Sequence, residues 1–80
     1  MDQTIVRQGQ QAATLLEDQA FKTAIADVRA DLFSRFNDTD IQDVEAMRMI
    51  KAEWNLLDEL TNKLNGKVQR GKLEQSKKGK

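Results

Sequence analysis

Four carboxylates fall within the ten residues FNDTDIQDVE at 36–45: Asp38, Asp40, Asp43 and Glu45. Closely spaced acids of this kind are the raw material of a calcium loop. Such a loop needs oxygen ligands at its first, third and fifth positions, glycine at the sixth and a bidentate glutamate at the twelfth. Counted from Asp38, the residues Asp40 and Gln42 suit the odd positions, but the sixth is Asp43 and the twelfth is Met49. The two positions that shape the loop and close the coordination sphere are both wrong, so no metal is expected. The same residues make a good turn and helix start. Asn37 and Asp38 are turn formers. Thr39 or Asp40 can cap the next helix, with Thr39 and Gln42 at capping-box spacing. Asp40, Asp43 and Glu45 then lie where the helix dipole favours negative charge.

No other stretch has the residue types for catalysis. Histidine and cysteine are both absent, which removes the commonest general base, the thiol nucleophile and the usual zinc ligands. Gly9, Gly66, Gly71 and Gly79 are isolated, so there is no glycine-rich phosphate loop. The remaining carboxylates fall on polar helix faces or at helix starts. The expectation is a protein that is not an enzyme and needs no cofactor or small-molecule substrate.

The elements around the acidic turn are helical by pattern. Met47, Ile50, Trp54, Leu57, Leu60, Leu64 and Val68 recur at intervals of three and four, which predicts a helix over about 40–65, capped by Gly66. Before the turn, Phe21, Ile25, Val28, Leu32 and Phe36 form a second stripe on a helix over 19–36, with Phe33 to one side. Asp18 is a good N-cap, so residues 10–17 read as a separate short helix, with a continuous helix as the alternative. Residues 1–9 are polar and read as frayed. The domain is then residues 1–66, and 67–80 is a flexible basic tail.

Eighty residues without proline, 32% of them charged, suit an all-α fold. A chain this short buries only about 60% of its unfolded surface and usually needs reinforcement. With disulfides and zinc excluded, association remains. No run approaches the about 20 apolar residues of a membrane span, and the N-terminus lacks a signal-peptide core, so a cytoplasmic protein is expected. The net charge of zero hides an asymmetry. Residues 1–65 carry seven Lys/Arg and twelve Asp/Glu, whereas 66–80 carry six Lys/Arg and only Glu74.

LLEDQAF at 15–21, the acidic turn, Asp43 and Arg48 in DVEAMR, the leucine stripe and Gly66-Lys67 together resemble a group of small helical proteins encoded among the head and portal genes of tailed bacteriophages. The resemblance spans about residues 12–72. Those proteins often carry proline after the aspartate that here is Asp18, where this chain has Gln19. The resemblance implies a phage protein of the host cytoplasm or the virion, acting in head assembly beside a capsid or portal protein. It assigns no functional residue.

The expected architecture is an antiparallel two-helix hairpin with a short N-terminal helical segment, oligomerising into a helical bundle. Its self-association residues would be Phe21, Ile25, Leu32, Phe33, Phe36, Ile50, Trp54, Leu57, Leu60 and Leu64. One seam between two helices cannot take Phe33, Phe36, Trp54 and Leu56 together with Ile25, Leu32, Leu57 and Leu60. Pairing two hairpins, or closure by Leu15 and Leu16 as a third helix, would cover the rest. In the tail, Lys67, Arg70, Lys72, Lys77, Lys78 and Lys80 would dock on an acidic partner. Nucleic acid ranks lower, because the tail has no aromatic residue for base stacking and the body is acidic. A packaging accessory or a small inhibitor of a host enzyme is the alternative function.

Overall fold

Three aspartates set the helix starts. In the computed structural model, which describes residues 2–78, Asp2 accepts the Thr4 and Ile5 amide N–H groups at 2.9 and 3.4 Å and begins α1, Gln3–Glu17. Asp18 does two jobs. Its own N–H donates to the Leu15 carbonyl, and its carboxylate accepts the Phe21 N–H at 2.9 Å. One residue of extended backbone, φ −66° and ψ 128°, therefore ends α1 and starts α2, Gln19–Asp38. The break expected at Asp18 is present. The third helix, α3, runs Val44–Lys78. Its cap is Asp43, which accepts the Ala46 N–H at 3.2 Å. This corrects the expectation of Thr39 or Asp40. Thr39 instead donates its hydroxyl to the Arg35 carbonyl at the end of α2, and Asp40 accepts the Gln42 N–H within the turn. The acids at 40 and 43 thus serve backbone amides.

All three helices are longer than the sequence pattern suggests, and two differences change the architecture. Residues 3–9 are helical, not frayed, and α3 does not stop at Gly66 but continues through the segment expected to be a flexible tail. The cause lies in where the two ends meet. Along α3 the residues Ile50, Trp54, Leu57, Thr61, Leu64, Val68 and Gly71 alternate at spacings of four and three, a heptad seam. The seam passes through Thr61 and leaves Leu60 outside it, at 47% exposure, a second correction. Its last members, Val68 and Gly71, face α1 and not solvent.

Contacts descend along α3 as they ascend along the other two helices. Asp2 pairs with Glu74, Gly9 meets Gly71 and Lys67, Arg29 pairs with Asp58, and Arg35 with Glu53. Both α1 and α2 therefore run antiparallel to α3, one after the other, like two short rails on one long one. The result measures 58 × 23 × 15 Å. α3, with 35 residues, is itself about 52 Å long at 1.5 Å per residue. A body two helices thick has little interior. Its buried apolar side chains are Val6, Ala12, Leu32 and Ile50, and of these Leu32 is the most enclosed. No helix among the described residues is long and apolar enough to cross a membrane.

Candidate association site

The two halves of the seam are built differently. Against α1, small residues stand at the closest point, with Val6 buried beside them. A Cβ placed on Gly9 would lie 2.8 Å from the Lys67 carbonyl oxygen and 2.9 Å from the Gly71 Cα, so nothing larger than hydrogen fits. Ala12 is buried and Ala13 half-buried beside this point. The backbones come close, and Asp2 locks the end by donating its N–H to Glu74 Oε1 at 2.9 Å. That bond, followed by the neighbouring Lys77, holds the Glu74 carboxyl below its ordinary range.

Against α2, the residues are large and the helices stand apart. Leu32 and Ile50 meet in the middle, and a groove of about 190 Å³ opens beside them, walled by Phe33, Phe36, Met47 and Trp54 with Lys51 at its rim. Arg29 closes one end of this flank. Its guanidinium lies 5.1 Å from the centroid of the Trp54 ring and 3.0 Å from Asp58. On the opposite flank Arg35 bridges Glu53 at 2.8 Å and Asp31 at 3.5 Å. These pairs are about half exposed, so each contributes roughly 0–1 kcal/mol.

The residues expected to self-associate thus divide into two sets. Leu32 and Ile50 are buried within the chain, and Phe21, Ile25, Trp54, Leu57 and Leu64 are half-buried along the same seam. They hold the helices of one molecule together. Phe33, Phe36 and Leu60 remain exposed, as do Leu56 and Met49, at 66% and 64%. Met49 escapes a reading based on one stripe. It becomes visible when α3 is read in a second heptad register, one residue earlier than the first: Met49, Glu53, Leu56, Leu60, Lys63, Lys67 and Arg70.

The basic residues of the expected tail sit on regular helix. Lys67, Arg70, Lys72 and Lys77 are exposed on α3, and Lys77 approaches Glu74 at 3.4 Å. Lys80 lies outside the described residues, as does the side chain of Lys78. Lys63, Lys67 and Arg70 continue the second register, so this charge is fixed in direction. Two apolar surfaces stand open, the Phe33–Phe36 groove and the outer stripe of α3. No protein-family model, no curated protein and no solved structure matches the chain.

Proposed function

We propose that this protein works by helix-mediated association with other proteins, without catalysis, in the assembly of a phage head. The observation that supports association is the exposure of large apolar side chains on regular helix: Phe33 at 62%, Phe36 at 49%, Met49, Leu56 and Leu60. Leu15, Val28 and Leu73 are also exposed, but singly; these five are grouped. Two occupy a groove and three share one helix face, and neighbouring apolar exposure of this kind marks interaction surfaces. The place in head assembly comes from the sequence resemblance alone. Capsid or portal subunits are the natural partners, and the host cytoplasm is the natural place of action.

Association stabilises by mass action, so the melting temperature should rise with protein concentration. A melting point that does not move over a hundredfold dilution (about 2.7 kcal/mol of binding free energy if every step were linked) would remove self-association from this reading. Purified capsid and portal subunits, tested separately against the protein by sedimentation, test the assembly role. If neither co-sediments, head assembly is wrong.

A further inference from the structure

The second register of α3 has an ordered charge pattern. It begins beside Glu45, carries Met49, Leu56 and Leu60 through its middle with Glu53 at the edge, and ends in Lys63, Lys67 and Arg70. An acidic start, an apolar centre and a basic end on one face are self-complementary when a copy is reversed. We propose that this face binds a second copy of the chain, α3 against α3, antiparallel about a two-fold axis near Asp58. The inference rests on the association reading above and gives it an occupant, a face and a register.

With Leu56 opposite Leu60 of the second copy, the rest of the face falls into place. Glu53, which also bridges Arg35 of its own chain, comes opposite Lys63, Met49 lies along the aliphatic stem of Lys67, and Glu45 comes beside Arg70. The acidic turn at 40–43 approaches Lys77. Every one of these contacts occurs twice, as an isologous interface requires. A parallel arrangement would set Lys63, Lys67 and Arg70 against themselves and bring no acid to them. The face is available, since Met49, Leu56, Lys63, Lys67 and Arg70 are all exposed. It is also straight, because α3 is a single uninterrupted helix. Gly66, whose Cβ direction is open space for 4 Å, leaves no protrusion near it. The Phe33–Phe36 groove lacks this pattern: its one charged wall residue is Lys51, with no acid in the lining to receive a second copy's lysine.

The chain has no cysteine, so introduced thiols report cleanly. Full-length Glu53→Cys and Lys63→Cys, mixed and oxidised, should give a disulfide-linked heterodimer. Glu53→Cys alone should not, because its two copies would lie ten residues either way along the paired helices, about 15 Å apart. Cross-linking of Glu53→Cys with itself, with no heterodimer formed in the mixture, means parallel pairing and overturns the inference while association stands. Leu56→Glu should give a monomer with unchanged helicity, and Phe33→Glu should remain a dimer; the reverse result moves the interface to the groove and is equally fatal. Lys63→Glu should weaken the dimer about tenfold, and adding Glu53→Lys should restore it in part, since that change also removes the Arg35 bridge. A wild-type chain that stays monomeric at all concentrations overturns both this inference and the self-association reading. Should that monomer instead bind a random-sequence DNA duplex through Lys63, Lys67 and Arg70, the basic end serves phosphates and not a second copy.

Discussion

The half of the molecule where α1 lies on α3 and the half where α2 lies on α3 share one seam and solve it oppositely. In the first, glycine and alanine let the backbones touch. The approach is closest at Gly9, with the side chains of Val6 and Ala12 buried on the same helix. In the second, leucine, isoleucine and tryptophan keep the helices apart and pack through one enclosed residue, Leu32. The difference teaches that residue size along a heptad seam sets interhelical distance as much as it sets buried area. It also accounts for the groove beside Trp54 and the exposed Phe33 and Phe36 on the α2 side. Widely spaced helices leave flanks that their own side chains do not fill.

Gly9→Leu should have the largest effect on the α1 half. The obstacle is the Lys67 carbonyl and the Gly71 backbone, which cannot rotate aside as a side chain would. A loss of about 3 kcal/mol is expected, the upper end for overpacking. Hydrogen exchange should become fast throughout α1 and remain slow around Leu32. Uniform acceleration would show that the two halves are one cooperative unit. Leu32→Ala tests the other half. It should cost about 2–3 kcal/mol, near the low end for a buried leucine, because the adjacent groove lets Phe36 and Met47 close over the space. Denaturant melts followed by Trp54 fluorescence would measure it. Gly66→Ala sharpens the contrast from the opposite side. With nothing beyond its own turn of α3 within 4 Å of the new methyl, only helix propensity acts, and stability should rise by about 0.8–1 kcal/mol. A decrease would mean that Gly66 touches something in solution.

The smallest effect concerns the lock at the α1 end. Because the Asp2 N–H and Lys77 favour the charged form of Glu74, its folded pKa lies below the ordinary 4.5. A depressed carboxylate stabilises the fold above its unfolded pKa and loses that contribution as pH falls through its folded pKa. Melting should therefore decline slightly on acidification below about 4.5, and Glu74→Gln should lessen that decline. An identical pH profile in the variant would show that the lock carries no measurable stability.

Part of this was legible in the sequence. The helical class, the helix of residues 19–38 to within two positions and the break at Asp18 follow from periodicity and from a carboxylate's affinity for free helix-start amides. The two ends were not legible, for one reason. Gly9, Gly66 and Gly71 carry the same local signal, a backbone free to leave the helix. Only a partner helix converts the missing side chain at 9 and 71 into a contact, and that partner is more than sixty positions away. Asp43 as the cap was hidden among several good capping residues in a row. Leucine outranks threonine in apolarity, which points to Leu60, whereas the heptad spacing selects Thr61. The exposed association residues were half legible: the crowding of one narrow seam requires that some apolar side chains stay outside, but it does not say that Met49 is among them.

The descending pairing along α3 has a consequence for how the chain folds. Arg35 and Glu53 are 18 positions apart, Arg29 and Asp58 are 29 apart, and Asp2 and Glu74 are 72 apart. Closing a longer loop costs more chain entropy, and contacts between distant positions slow folding. The acidic turn and the Leu32 region should therefore form first, with α1 arriving last onto a spine already shaped to receive it. On that order, Gly9 contributes after the rate-limiting step. Its replacement would speed unfolding and leave the folding rate nearly untouched, so the close approach at Gly9 governs how long the fold lasts and has little say in how it begins.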